Sequence, residues 1–494
     1  MEKSTKSFAI TKRMVYEAWK HVKANQGAAG IDEETIAQFE EGLAGNLYKL
    51  WNRLSSGSYF PPPVKEVRIP KRSGGVRVLG VPTVADRVAQ AVVREYFEPL
   101  LEPHFDPDSY GYRPGRSAKD AIRVTRERCW KYCWVLEFDI KGAFDNLDHD
   151  LMMKAVRKHA NCRWVELYIE RWLKAPSTTN GEELHPRERG TPQGGVISPL
   201  LMNLFMHYAF DRWIRKAVPT AMFARYADDA VVHCLSENQA LRVKSLIADR
   251  LAACGLELHA GKTRIVYCRD TNRRQPYPVT QFTFLGFTFR ARGARSPSGE
   301  LFSSFQPAVS RDAAKRMRQQ IRSWRLPLRT PATIADLSAS CDSIMTGWWN
   351  YYGSFYGSAM ASIYAHFDKA LAFWVRRKFK PLARHRTRSF RWISDMGAAS
   401  LHSLATGLRV RYEQWEPCDS RGSRTVLRAA AGEVPAAYSR GTQCLDGDPC
   451  GWRAISREGS IPVATVARRC RCHNRPSGGP RAWGPRRRAL KKFW

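Results

Sequence analysis

The chain has no uninterrupted apolar stretch of about 20 residues, the length a helix needs to cross a bilayer, so neither a membrane span nor a membrane partner is expected. Its first residues, Met1 to Ser4, carry no apolar signal segment, which predicts a cytosolic protein. No internal repeat is visible, which argues against a solenoid. The twelve cysteines form no C-x-x-C pairs and are spread along the chain, as suits reduced thiols. Cys129 and Cys133 lie one turn apart if helical, a spacing that suits packing better than metal binding. Acid is scarce. Across 494 residues there are 46 Asp and Glu against 80 Lys and Arg, a net charge of +34. Such an imbalance favours a polyanionic partner, and nucleic acid fits better than a membrane surface. The length allows two or three domains with their own cores.

Against that basic background, two adjacent acids stand out. Asp228 and Asp229 sit between the short β-favouring stretches Phe223–Tyr226 and Ala230–Cys234, which predicts a hairpin with the acids at its turn. A solvated turn would accommodate them too. If buried, however, two neighbouring carboxylates repel, and burial raises their pKa values. A divalent cation resolves that conflict, and Mg2+ favours a few carboxylates supplemented by phosphate oxygens. Upstream, Trp134 to Ile140 reads as a buried strand carrying Asp139, and Asp148 reads as the N-cap of a helix starting near Leu151. Nucleotidyl transfer uses two metals about 4 Å apart, and Asp139 with Asp228 has the makings of such a clamp.

Between these acids, Arg189 to Pro199 is glycine-rich. Its glycines permit close backbone approach to a nucleotide, and Ser198 with Pro199 reads as a cap and first turn. The helix that follows is expected to run to about Lys216 and stop before Pro219. Further upstream, Arg68 to Pro82 reads as a hairpin closed by Gly74 and Gly75. Lys71 and Arg77 on its two arms could neutralise a triphosphate, the arginine bidentately.

Together these segments resemble the palm and fingers motifs of reverse transcriptases, and more narrowly those of group II introns. The resemblance runs from about Gln26 to Arg290. It includes Asn25–Asp32, which is similar to an N-terminal extension of non-retroviral enzymes, as well as Ser109–Ser117, Gly255–Thr263 and Phe284–Phe287. It implies Asp139, Asp228 and Asp229 as the catalytic acids, with the Ile140 carbonyl as a further metal ligand. It also implies that Lys71, Arg77 and Gln193 contact the incoming dNTP and that Arg113 faces the template. Phe144 takes the place of an aromatic gate that excludes a ribose 2′-hydroxyl, where RNA-making polymerases usually carry a polar residue. Lys262 is expected at nucleic acid. One departure is Gly261, where the family commonly has an acid.

Beyond the palm, Ser310–Trp324 reads as an amphipathic helix with Ala313, Met317, Ile321 and Trp324 in one stripe. Lys315 and Arg318, among other basic residues, lie on its remaining faces and suit phosphate contacts along a duplex. The aromatic run Trp348–Tyr352 favours helical core over base stacking. The same run, within Gly347–Gly353, resembles the signature of the maturase thumb in intron-encoded proteins, which implies RNA binding that assists splicing. The basic cluster Arg376, Arg377 and Lys378 follows. Residues 416–494 are rich in Gly, Pro, Arg and Ser, and Arg481 to Lys492 holds six basic residues and no acid. That composition predicts a disordered or nucleic-acid-binding tail. The cysteines there lack nuclease-type pairing, so no nuclease is expected.

The expected architecture is therefore α+β, a right-hand polymerase. An N-terminal extension (1–65) precedes fingers and palm (66–300), a helical thumb or maturase domain (301–395) and a basic tail (396–494). The expected function is RNA-templated DNA synthesis with Mg2+, or Mn2+, at a two-metal site. The expected partners are intron RNA or another RNA template, a DNA primer or target DNA, and dNTPs, in the bacterial cytosol or nucleoid. Two other readings stay open: an intron-free reverse transcriptase of similar type serving repair or phage defence, and an RNA-binding splicing factor with a relic palm.

Overall fold

The computed structural model describes residues 6–400 except 71–74, 180, 182 and 297, with side chains described as far as residue 395. Lys71 and nearly all of the basic tail therefore lie outside the described residues. Three sheets organise the rest. The first joins β1 (Val64–Pro70) and β2 (Val76–Val81) antiparallel, from Lys65 opposite Val81 to Pro70 opposite Val76. A two-residue strand, β4 (Ser177–Thr178), pairs parallel to the start of β1. The hairpin expected between Arg68 and Pro82 is thus present, and its first strand begins earlier than the sequence suggests, at Val64.

The second sheet, the expected palm, has the order β5 (Met222–Tyr226), β6 (Asp229–Cys234), β3 (Trp134–Phe138), β7 (Arg264–Tyr267), with every neighbour antiparallel. Successive side chains of a strand point to opposite faces, and here both faces are covered. Trp134, Leu136, Phe138, Phe223 and Val232 belong to one core, which is built with helices Ser198–Met206 and Glu237–Ala252. Val135, Ala224 and Val231 belong to another, built with helix Ala118–Lys131 and the third sheet. Double coverage explains why these strands read as continuous apolar runs. Cys129 is buried on the helix of that second core and packs there, whereas Cys133 lies beyond the end of the helix and packs against the first core, so the two are not one helical turn apart.

The third sheet, β8 (Gln281–Phe284), β9 (Phe287–Arg295) and β10 (Leu301–Val309), leads into the helical region. The β8–β9 turn is Leu285–Gly286, with φ of +50° and +82°. Positive φ at both positions is the geometry whose twist matches a two-residue hairpin, and a glycine adopts it without penalty. That turn docks on helix Ile334–Tyr352: the Tyr351 hydroxyl donates to the Leu285 carbonyl at 3.0 Å, and the Phe287 ring lies 5.2 Å from those of Tyr351 and Tyr352. A Cβ on residue 286 would come within 3.0 Å of the Tyr352 hydroxyl. Trp348 stacks on Trp324. The aromatic rings of the run are therefore half-buried packing that joins palm to thumb, with Asn350 exposed between them.

The thumb packs helices Arg311–Ser323, Ile334–Tyr352, Ala361–Lys378 and Arg386–Ser400 around Met317, Ile321, Cys341, Met345 and Trp374. Ser310 caps the first of these by accepting from the Ala313 amide, and Thr333 forms a capping box with Asp336 on the second. The apolar stripe predicted from the sequence is the buried face of the first helix. Lys315 and Arg322 stay exposed on its outer side.

Candidate active site

The β5–β6 hairpin closes through a two-residue turn, Ala227–Asp228, with Tyr226 paired to Asp229. Ala227 has φ +58°, a left-handed conformation costing an alanine about 1–2 kcal/mol. A buried network beneath holds it. Arg225, fully buried, donates from Nη1 to the Ala227 carbonyl at 2.8 Å and to Asn203 Oδ1 at 3.0 Å. Its Nε and Nη2 form a two-pronged pair with Asp211, itself fully buried, at 2.7 and 2.6 Å. Asn203 in turn donates to the Gly111 carbonyl at 2.6 Å. Asp211 closes a single π-helical turn, His207–Asp211, inserted in the helix that was expected to run unbroken to Lys216. Ser198 corrects a smaller expectation: it lies inside the first turn, and its hydroxyl bonds Thr191 Oγ1 at 2.9 Å.

Asp139 follows β3, the strand hydrogen-bonded to β6, so the three acids share one end of the palm sheet. Burial, then the neighbouring Asp139 charge, pushes Asp228 above the usual carboxylate range, while Arg77 and Arg225 oppose the rise. Asp229, although its residue surface is open to solvent, is pushed up to about 7 by desolvation and by the charges of Asp228 and Asp139. The three carboxylates thus feel one another through space. Lys262 Nζ sits on Asp139 Oδ2 at 2.6 Å and draws Asp229 down. Lys262 is therefore placed at the acids. Ile140 pairs with Leu258 through bonds made by its neighbours: the His259 amide donates to the Asp139 carbonyl, and the Lys141 amide to the Glu257 carbonyl. The Ile140 carbonyl takes part in neither.

Among the described residues, no three His, Cys, Asp or Glu side chains converge closely enough to hold a metal by themselves. The donor set still suits a hard divalent cation. It offers only oxygens, it holds more negative charge than Lys262 offsets, and Mg2+ commonly takes one or two carboxylates with phosphate and water completing its shell.

The glycine-rich loop approaches the same end of the palm. The Thr191 amide donates to the Phe144 carbonyl at 2.8 Å, and Gln193 Nε2 reaches the Asp145 carboxylate at 3.2 Å. Phe144 is half-buried against the main core. The Gly80 amide at the end of β2 donates to the Gln193 carbonyl, and a Cβ on residue 194 would meet the Gly80 carbonyl at 2.5 Å. Arg77, exposed on β2, and Tyr112, whose hydroxyl is pushed up by burial and by Asp228, complete the surroundings. The structure therefore brings together Asp139, Asp228, Asp229, Lys262 and Arg77, with Phe144 and Gln193 on the adjoining loop.

Two expected nucleic-acid contacts need correction. Arg113 is buried: it forks onto Glu102 and donates to the carbonyls of Asp106 and Ser109 at 2.6 and 2.7 Å. Its donors brace the loop under the acidic turn and do not face a template. Lys378 Nζ binds the carbonyls of Thr330 and Ala332 at 2.9 and 2.7 Å, tying down a thumb loop. Arg377 is exposed, and the Arg376 guanidinium lies over the Phe373 ring at 4.5 Å. Lys315 is exposed and Arg318 half-buried on the first thumb helix. The sequence reading missed Arg225, Asn203 and Asp211. A signal was present, since Asn203, His207 and Asp211 recur every four residues on an otherwise apolar helix.

Residues 69–289 match the reverse transcriptase (RNA-dependent DNA polymerase) family, and residues 314–392 match the group II intron maturase-specific domain. The reverse transcriptase family works with divalent metal ions. The chain is 35% identical over 195 residues to the group II intron-encoded protein LtrA of Lactococcus lactis subsp. cremoris, covering 39% of this chain and 32% of that protein. It is 36% identical over 208 residues to protein YkfC of Escherichia coli (strain K12), covering 40% and 54%. A putative COX1/OXI3 intron 1 protein of Saccharomyces cerevisiae is 25% identical over 350 residues, covering 58% and 41%. The chain thus spans about a third to a half of the length of these relatives. The α+β class and the resemblance to group II intron reverse transcriptases and maturases agree with the sequence reading.

Proposed function

We propose that this chain, whose relatives are the reverse transcriptases and maturases of group II introns, is an RNA-directed DNA polymerase that also binds its intron RNA to assist splicing and mobility. The observation that carries the reading is the meeting of Asp139, Asp228 and Asp229 at one end of the palm sheet, with Asp229 raised to about 7. Such crowding is unfavourable for the protein alone and becomes favourable when cationic charge is brought in. The all-oxygen donor set suits Mg2+, with Mn2+ as a substitute, and Asp139, Asp228, Asp229 and the Ile140 carbonyl would hold it. When bound, the ion supplies charge neutralisation for nucleotidyl transfer.

This chain's own groups account for the rest. Arg77 is placed to meet a triphosphate near Asp228, and Gln193 with Phe144 borders the position of the sugar. Lys262 pairs with Asp139 at 2.6 Å and orients its carboxylate. Lys315, Arg318, Arg376 and Arg377 give the thumb a basic surface suited to RNA phosphates, template and intron alike, with primer or target DNA and dNTPs as the further substrates.

The test is Asp228→Ala, assayed by primer extension on an RNA template. Loss of a charge-clamping carboxylate removing about 4 kcal/mol from the transition state lowers the rate roughly a thousandfold. The paired variant Asp228→Ala, Asp229→Ala should still promote splicing of RNA transcribed from the gene's flanks. Near-parental extension by Asp228→Ala would overturn the polymerase assignment. Failure of the flanking RNA to splice with any variant would overturn the maturase half.

A further inference from the structure

A cavity of about 850 Å³ lies apart from the acids, between the loop after helix Val84–Leu101, the end of helix His149–His159 and the π-helical turn. None of the acids, the glycine-rich loop or the thumb lines it. Its volume is within the usual range for small-molecule sites, roughly 300–1,000 Å³.

Three features of its wall point to one ligand chemistry. The first is uncancelled positive charge. Lys158, Arg212 and Lys216 are exposed at the cavity and have no carboxylate partner among the described residues. The one acid in the lining, Asp106, is already gripped by Arg215 at 2.9 Å. The second is a set of flat rings. The His104 and His159 rings are 4.6 Å apart, His159 Nε2 pairs with the Tyr208 hydroxyl at 2.7 Å, and Lys158 lies over the Tyr208 ring at 5.1 Å. The third is an orphan. His207 is only 7% exposed, and its Nδ1 has no hydrogen-bond partner. A buried polar atom without a partner calls for an explanation, and a bound polar group supplies one. Burial and the nearby Arg225 charge hold this imidazole down at about 4, so it is neutral at pH 7 and suited to a hydrogen bond with a base edge.

Cations beside stackable rings, with one buried hydrogen-bonding nitrogen, are what an unpaired nucleotide needs: phosphate grip, a π-face and an edge contact. We propose that this cavity binds a single nucleotide unit, a nucleobase carrying a phosphate, at a site separate from the polymerase acids. The phosphate meets Lys158, Arg212 and Lys216, the base lies against His104 and Tyr208, and the His207 ring, whose Nδ1 is sealed from solvent in the free protein, turns toward the cavity to bond the base edge. The unit comes from free nucleotide or from an unpaired nucleotide of RNA, and the site does not depend on polymerase activity.

The test uses the full chain in EDTA, with a ribose-labelled fluorescent AMP followed by anisotropy. Charge reversal at two exposed positions, Lys158→Glu with Arg212→Glu, should weaken AMP binding by more than about tenfold, since each removes a charge-assisted contact. His104→Ala should weaken it severalfold. Arg77→Ala, near Asp228 and outside the cavity lining, should leave it unchanged. Unlabelled AMP should displace the probe at concentrations at least about tenfold lower than adenosine or inorganic phosphate. Displacement by a short single-stranded RNA identifies RNA as the source, and its failure identifies free nucleotide; either supports the site. His207→Leu tests the orphan nitrogen directly, and the exposed variants decide the matter if it does not fold. Unchanged AMP binding in the charge-reversed protein, or phosphate competing as well as AMP, would overturn the proposal. Primer extension by that protein should remain parental, so the two readings fail independently.

Discussion

Replacing Arg225 by methionine removes a buried cation and leaves Asp211 as an uncompensated buried carboxylate. Both side chains are fully buried in the parent, so solvent cannot take over the lost partner. Breaking one side of such a pair costs about 3–5 kcal/mol, a large part of a typical domain's stability. The single variant should therefore unfold markedly earlier in urea. Adding Asp211→Leu converts the pair to two apolar side chains, and replacements of this kind are often neutral or stabilising. The double variant should regain most of the lost stability. Activity should not follow. Arg225 Nη1 also holds the Ala227 carbonyl at 2.8 Å, and that residue sits at φ +58° against a preference of about 1–2 kcal/mol. Without that bond the turn can relax, carrying Asp228 with it, and a displacement of about 1 Å at a reacting centre commonly lowers rate by about a hundredfold. The assay is kcat for primer extension at saturating template and dNTP, set beside urea midpoints. Parental stability with parental kcat in the double variant would refute the idea that Arg225 positions the acids, leaving it as packing alone.

Phe144→Ala should raise the rNTP/dNTP ratio of kcat/KM, because the proposed gate acts by bulk; an unchanged ratio would return Phe144 to the core it partly packs against. His233 is fully buried on β6 and held down at about 3 by desolvation and Arg128, so the unfolded chain binds its proton first as pH falls. Its depressed value means that stability is intact above about 6.5 and lost below it, by about 2 kcal/mol at pH 5. Thermal unfolding of the parent and of His233→Gln at pH 8 and pH 5 should show a smaller acid loss in the variant, and equal losses would refute the assignment.

Features set by local chemistry were legible in the sequence. Asp148 caps its helix by accepting from the Leu151 amide at 2.9 Å, because a carboxylate one residue ahead of a helical run has few better uses. The acidic hairpin was legible because β-favouring runs flank a two-residue turn. What escaped depends on partners far apart in the chain. Arg113 reads as a surface cation until Glu102, eleven positions earlier, closes on it through the fold. Lys378 likewise reads as part of a basic cluster until the carbonyls of residues 330 and 332 arrive from another loop. A sequence shows that a charge exists; burial decides whether it faces outward.

Burial likewise divides the strongest cations near the acids. Arg113, Arg128, Arg215 and Arg225 are each matched to Glu102, Asp108, Asp106 or Asp211, and they stiffen the loops and strands beneath the acidic turn. Arginine suits that role because its planar fork loses less freedom for each bond formed. Among the described residues, the one ion pair made by the acids themselves is with Lys262, a single flexible ammonium whose side chain is 59% exposed. A compact cation on a mobile stem at the surface is readily displaced, whereas the buried guanidinium pairs are not. The fold thus fixes the carboxylates rigidly from below and holds them loosely from above. That arrangement is what a site needs if stronger cationic charge and a phosphate-bearing substrate are to enter without disturbing the scaffold.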